Sequence, residues 1–334
     1  MFAAAGSSAN AAPEQRAEQV TAAAQEARAT GVVRWAGADR YEASAAISAR
    51  SFDPGVPVAY VASGSIYTDA LSGAPVAAKS GGPMLLVTAT DVPDAIATEL
   101  SRLRPQRIVV LGGPASIGTG VETRLRGFAG SGGVQRWQGA DRFEASAAIS
   151  RSSFSPGVDT AFVASGRVFA DALSGAPVAG RDRDPLLLVD TDRIPDSIDA
   201  ELRRLRPSRI VVLGGPASIS DGVAAELSAY SSGWVERWFG ADRYAASAEI
   251  SAASFDPGVP VAFVAYGQVF SDALSGAPVA GIRRGPMLLV AGSEIPSAVR
   301  DELRRLQPKQ IVVLGGTASI STTVENQLAD YVVP

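Results

Sequence analysis

The segment RWAGADRYEASAAIS, beginning at Arg34, returns as RWQGADRFEASAAIS at Arg136 and as RWFGADRYAASAEIS at Arg237. Two more segments keep the same spacing. DALSGAPVA begins at Asp69, Asp171 and Asp272, and RIVVLGGPASI begins at Arg107 and Arg209, with QIVVLGGTASI from Gln310. The offsets are 102 and then 101 residues. A period this long is not that of a solenoid, because each unit has enough residues to own a core. The chain therefore divides into an Ala-rich, helical N-terminal segment over 1–30 and three modules over 31–132, 133–233 and 234–334.

Each module carries one pattern. In the first, Val32–Trp35 reads as a short strand and Tyr41–Arg50 as a helix. Val58–Ala62, residues 83–87 and Arg107–Leu111 are apolar runs bounded by Gly or Pro, the mark of buried strands. Pro93–Leu103 reads as a helix with Ile96, Leu100 and Leu103 on one face, and Val121–Phe128 as a last helix. Thr68–Lys79 is helical in tone, yet Gly73 and Pro75 predict a short or broken helix there. Strands apolar throughout and alternating with helices imply α/β modules with parallel sheets covered on both faces. Residues 14–28 lead into Arg34-Trp35 as the other modules' last helices lead into theirs, which predicts a helix in the place of a preceding module's last helix, or a solvent-exposed linker helix.

Composition narrows the chemistry. The chain has no Cys and no His, so disulfides, a Ser-His-Asp triad, a Cys nucleophile and a His or Cys zinc site are all excluded. A net charge of −4 argues against general nucleic-acid binding. Lys79 and Lys309 are its two lysines; the other cations are arginines, whose forked donors suit carboxylate or phosphate. No apolar run is long enough to span a membrane. Ala9-Asn10-Ala11-Ala12-Pro13 resembles a signal-peptidase site, the trace expected of an extracellular protein. Dinucleotide, P-loop and nucleophile-elbow motifs are missing, so neither an enzyme nor a cofactor is expected. The acidic residues Asp182, Asp184, Asp190 and Asp192 occur in one module only and read as a solvated loop, not a metal site.

In a parallel sheet, ligands sit beyond the carboxyl ends of the strands. The repeated polar motifs fall there. They are the Asp-Arg pairs Asp39-Arg40, Asp141-Arg142 and Asp242-Arg243; the turn glycines Gly64, Gly166 and Gly267; and the acids Asp69, Asp171 and Asp272 at a helix start. The glycine pairs Gly112-Gly113, Gly214-Gly215 and Gly315-Gly316 close the set. An Arg beside glycine turns and a helix N-terminus suits an anionic group. The competing assignment is structural: both Asp positions are good N-caps, and Arg40 can pair with Glu42, Asp39 or Asp69. Trp35, Trp137 and Trp238, and the triplets Met84-Leu85-Leu86, Leu186-Leu187-Leu188 and Met287-Leu288-Leu289, read as core.

The R-W-x-G-A-D-R-[YF]-x-A-S opening, the D-A-L-S-G-A-P centre, the P-[ML]-L-L-V strand and the V-V-L-G-G ending, in fixed order three times, resemble the cell wall binding repeat 2 family of Gram-positive surface proteins. The resemblance covers residues 31–334. It implies three Rossmann-like modules packed as an intramolecular pseudo-trimer. It also implies non-covalent attachment to an anionic cell-wall polymer, with the family's arginine at Arg40, Arg142 and Arg243. The apolar triplets are linked to ligand binding in the family, which sits poorly with their core pattern. Members often carry an amidase or protease domain as well, and no such domain is visible in this sequence. The third module departs at Ala245, where Glu42 and Glu144 stand in the others, and at Tyr266, where they have Ser63 and Ser165. The alternative function is self-assembly into a surface layer or filament.

Overall fold

A computed structural model describes residues 31–333. The expected helix over 14–28 and the Ala9–Pro13 motif lie outside the described residues. Twelve strands form three four-stranded, all-parallel sheets among the described residues. The strands are β1 (Gly31–Trp35), β2 (Val58–Ser63), β3 (Met84–Val87), β4 (Arg107–Leu111), β5 (Gly133–Trp137), β6 (Thr160–Ser165), β7 (Leu186–Val189), β8 (Arg209–Leu213), β9 (Trp234–Trp238), β10 (Ala262–Tyr266), β11 (Met287–Val290) and β12 (Gln310–Leu314).

Sheets and sequence repeats are out of phase by one strand. The sheet orders are β3-β2-β4-β5, β7-β6-β8-β9 and β11-β10-β12-β1. The Arg-Trp strand that opens one repeat thus forms the edge of the preceding repeat's sheet. For the first repeat, the preceding sheet is that of the third: Gly31 to Trp35 pair in parallel with Gln310 to Leu314. The three units close into a ring within one chain. The helix Thr322–Leu328 packs against β1, so the place beside β1 that corresponds to a preceding module's last helix is filled by the C-terminal helix.

The opening arginine explains why the strand is exchanged. Arg136 donates to Gly112 O at 2.7 Å and to Glu122 at 2.8 Å, both in the preceding repeat. Arg237 donates to Gly214 O at 2.7 Å, and Arg34 to Gly315 O at 2.7 Å and to Glu325 at 2.8 Å. A mostly buried guanidinium makes several charge-assisted bonds at once and fixes the exchanged strand in register.

Helices Thr68–Ser80, Ala170–Asp182 and Ser271–Ile282 pack on one another around the pseudo-threefold axis. Here the expectation of a short or broken helix is corrected, since Thr68–Ser80 runs unbroken through Gly73 and Pro75. Pro75 cannot donate to the turn before it, but this segment is buried on every side, and burial outweighs the missing bond. Gly73 is demanded by closeness to the sheet, because a methyl group there would lie 2.2 Å from Leu111 Cδ1. At the axis, a methyl on Gly180 would lie 2.6 Å from Ala78 Cβ, so small residues set the distance between the helices. The triplets Met84-Leu85-Leu86, Leu186-Leu187-Leu188 and Met287-Leu288-Leu289 are fully buried, as their pattern requires. The serine of the opening motif serves this edge strand: Ser44 Oγ accepts from Leu86 N at 3.1 Å and donates to Met84 O at 3.2 Å.

The acidic run of the second repeat is not one solvated loop. Asp184 and Asp190 are buried; Asp190 pairs with Arg167 at 2.8 Å, which holds its carboxyl down at about 2. Among the described residues, no group of three or more acidic side chains could hold a metal ion. Burial pushes Asp184 up to about 7, helped by the Asp182 and Asp159 charges and opposed by the Thr160 N–H and Lys79. The folded carboxyl therefore keeps a proton that the unfolded one releases near 3.8. The contribution of Asp184 to stability is highest below that value and declines as pH rises to about 7. Asp184→Asn should remove this slope and raise stability at pH 8 by on the order of 3 kcal/mol, with little change at pH 4, as read from urea melts at both pH values.

Candidate functional site

The predicted polar residues do gather at the carboxyl ends of the strands, but across repeat boundaries. Asp69 sits in the first turn of the helix Thr68–Ser80, beside Gly112 and Ser116 of its own repeat. The cation that faces it is Arg142 of the second repeat. Likewise Asp171 faces Arg243, and Asp272 faces Arg40. Arg40 pairs with none of Glu42, Asp39 or Asp69; it spans the junction of the first and third repeats. Each candidate cleft is therefore built by two successive repeats, and the ring supplies three of them.

Several glycines follow from this geometry. Gly112, Gly214 and Gly315 have φ of 102°, 111° and 106°, and a methyl on any of them would run into the carboxylate of Asp69, Asp171 or Asp272. Their neighbours Gly113 and Gly215 face the opening loop of the next repeat, at Gln138 and Phe239, and Gly316 faces Gly37. Gly64, Gly166 and Gly267 lie under the ring of Tyr41, Phe143 or Tyr244, where a methyl would come within 2.7 Å of the ring. Their carbonyl oxygens accept from the site arginines: Arg142 to Gly166 O and Arg243 to Gly267 O, both at 2.6 Å, and Arg40 to Gly64 O.

The first acid of each Asp-Arg pair is a helix cap. Asp39, Asp141 and Asp242 each accept two backbone N–H groups through Oδ1, all at 2.8 Å. In the first two repeats a glutamate also closes the loop: Glu42 accepts from Ala38 N at 2.9 Å and Glu144 from Ala140 N at 2.8 Å. Asp69, Asp171 and Asp272 have a different environment. Burial pushes their carboxyls above the usual range, and the arginine of the next repeat pulls them back.

Between the second and third repeats lies a cleft of about 200 Å³, lined by Asp171, Gly215, Ser218, Gly240, Asp242 and Arg243 among others. Its Arg243 guanidinium stands 5.7 Å from the centroid of Phe169. Phe169 belongs to an axial cluster with Tyr67 and Phe270, with ring centroids 5.5 to 6.0 Å apart. The sequence reading missed both this cluster and the service of the opening arginines to the Gly-Gly loops. The sequence carries a signal for each, in an aromatic two residues before every DALSGAP and an Arg before the Trp of every R-W-x-G-A-D-R motif. Trp35 is buried, while Trp137 and Trp238 are partly so, Trp137 packing at a tilt against Tyr60 and Trp238 edge-on against Phe162.

Three parallel α/β units closed into a ring, with the same Asp and Arg pair facing across each junction, define a class of tandem-repeat α/β protein. The cell wall binding domain 2 (CWB2) family matches residues 34–122, 136–224 and 237–325, and the chain belongs to that family. Among curated proteins it is 30% identical over 297 residues to the amidase enhancer of Bacillus subtilis (strain 168), covering 89% of this chain and 40% of that protein. It is 24% identical over 302 residues to N-acetylmuramoyl-L-alanine amidase LytC of the same organism, covering 90% of this chain and 59% of that protein. Two solved structures share the fold. Cwp6 from Clostridium difficile superposes with a TM-score of 0.86 at 23% identity, over 92% of this chain and 48% of that one. Cwp8 from Clostridium difficile gives 0.83 at 23% identity, over 96% and 55%. No helix among the described residues is long and apolar enough to cross a membrane.

Proposed function

We propose that this chain is a non-catalytic extracellular anchor that holds to an anionic cell-wall polymer, without a covalent bond, through the clefts between its repeats. The observation that carries this reading is the threefold recurrence of one arrangement. An arginine of one repeat, fixed by a strand-end carbonyl, faces the buried acid of the preceding one. A guanidinium with one donor used for positioning keeps others for a carboxylate or phosphate. A polymer repeats its charged group, so binding at one cleft raises the effective concentration at the next, and weak sites combine into firm attachment. Family membership supports the same reading, and the absence of His and Cys fits a role without catalysis.

Stepwise substitution tests it. Arg40→Ala, Arg142→Ala and Arg243→Ala should each weaken binding to purified Gram-positive walls by about tenfold, and the triple variant by about a thousandfold. The measurement is sedimentation with walls, alongside thermal melts that confirm folding. Equal binding by the triple variant and the parent would rule out these clefts.

A further inference from the structure

The three clefts are built alike but not lined alike, and two differences fall at the same one. The residue before the Gly-Ala-Asp-Arg loop is Ala36 at the junction of the third and first repeats, Gln138 at the next, and Phe239 at the junction of the second and third. Phe239 is 46% exposed, which is unusual for a ring of this size when the other phenylalanines among the described residues are buried or partly buried. It lies against the cleft wall, since a methyl on Gly215 would be 3.1 Å from Phe239 Cδ2. Gly215 itself lines the cleft together with Asp171 and Arg243.

The second difference is electrostatic. Glu42 and Glu144 hold the Ala38 and Ala140 N–H groups and place a carboxylate beside their loops. Ala245 stands in their place in the third repeat, so no side chain there ties the Ala241 N–H, and the loop carries one negative charge fewer. Ala241 lines the cleft. This cleft of about 200 Å³ therefore holds a backbone donor free of that carboxylate and an arginine, and the Phe239 ring borders it at Gly215. A sugar ring presents C–H groups to an aromatic face and hydroxyls or an acidic substituent at its edge. Gln138 and Ala36 offer no such face.

We propose that the cleft between the second and third repeats is the glycosyl-selective subsite of the ring, with Phe239 stacking on a pyranose and Arg243 with Ala241 N–H receiving its anionic or hydroxyl edge. The departure at Ala245 thus opens this site to an anion. The inference rests on the anchoring function proposed above.

The test is calorimetric titration of the full chain with the acid-released polysaccharide fraction of Gram-positive walls. Phe239→Leu keeps apolar bulk but removes the ring face, and should weaken binding about five- to tenfold, while Phe239→Trp keeps it within twofold. Ala245→Glu, which restores the glutamate of the other repeats, should weaken binding several-fold, whereas Gln138→Ala should leave it within twofold. Phe239 and residue 245 are outside the core, and a thermal melt of each variant confirms the fold. Binding by Phe239→Leu and Ala245→Glu equal to that of the parent would overturn the subsite while leaving the anchoring function standing. No binding by the parent would overturn the anchoring function and the subsite together.

Discussion

A Trp35→Ala variant loses about 4 kcal/mol of stability, the upper part of the range for large aromatic truncations in a core. Trp35 is only 5% exposed, meets Phe263 edge-on at 6.0 Å and lies under the Arg283 guanidinium at 4.9 Å. Both partners belong to the third repeat, more than two hundred residues away in the chain. The expected lesion is therefore in the third sheet rather than in the first repeat. Hydrogen exchange should show β10 and β12 losing protection before β2 and β4 do. The ring also predicts a rearrangement it tolerates. Residues 31 and 333 end close together, since Gly31 pairs with Gln310 and Val333 N donates to Pro308 O at 2.9 Å. A chain that joins these ends by a short linker and opens at the Gly130–Gly132 turn should fold, with a melting temperature within a few degrees of the parent. An equal loss of protection in all three sheets of Trp35→Ala, or failure of the permuted chain to fold, would contradict ring closure through β1.

The second large effect comes from a buried acid that has no part in the clefts. Glu201 has no solvent-exposed side-chain surface; it accepts from Ser150 Oγ at 2.7 Å and pairs with Arg204 at 2.6 Å. Arg204 also donates to Phe154 O at 2.8 Å, so the pair fastens the helix Asp196–Leu205 to the end of the helix Arg142–Arg151. Glu99 with Arg102 and Glu302 with Arg305 repeat the arrangement. Glu201→Ala strands Ser150 and the inner donors of Arg204 and should cost about 3 kcal/mol, somewhat below the deepest cases because Arg204 is partly open to water. Glu201→Gln, which keeps an acceptor for Ser150, should cost about half of that. Replacing both partners at once, Glu201→Leu with Arg204→Met, should recover most of the loss. Urea melts of the three variants check the ordering.

Much of this was legible in the residues. The repeat gave three units, the apolar runs gave parallel strands, and the triplets and tryptophans read as interior. An Asp just before a helical run is a natural N-cap, and the geometry at Asp39, Asp141 and Asp242 is that of a cap. What the sequence could not show was phase. Arg34 and Trp35 look like the start of a unit because they recur together, yet physically they finish the previous sheet. Periodicity is blind to this, since a ring of identical units repeats equally well from any starting point. The same blindness hid the partner of Asp69: Arg40 is nearer in sequence, but Arg142 is the arginine that faces it. The helix Thr68–Ser80 was misjudged for another reason. Gly and Pro lower local helix propensity, and only the burial of that helix among two copies of itself makes up the difference.

Glu99, Glu201 and Glu302 carry a faint sequence signal, the recurrence of Glu-Leu with Arg three positions after the Glu on an otherwise amphipathic helix. Sequence alone does not reveal that the acid points inward. A serine one helix away, in register fifty-one residues earlier, completes the site.

In the function proposed here, the ring of inter-repeat clefts holds an anionic wall polymer. The most direct measurement is sedimentation of the purified chain with Gram-positive walls before and after chemical removal of their anionic polymers. Binding that is strong to intact walls, absent from stripped walls and competed by the released polymer is the predicted result. Undiminished binding to stripped walls, or ordered self-assembly of the chain with no affinity for walls, would contradict it and favour a surface-layer or filament role.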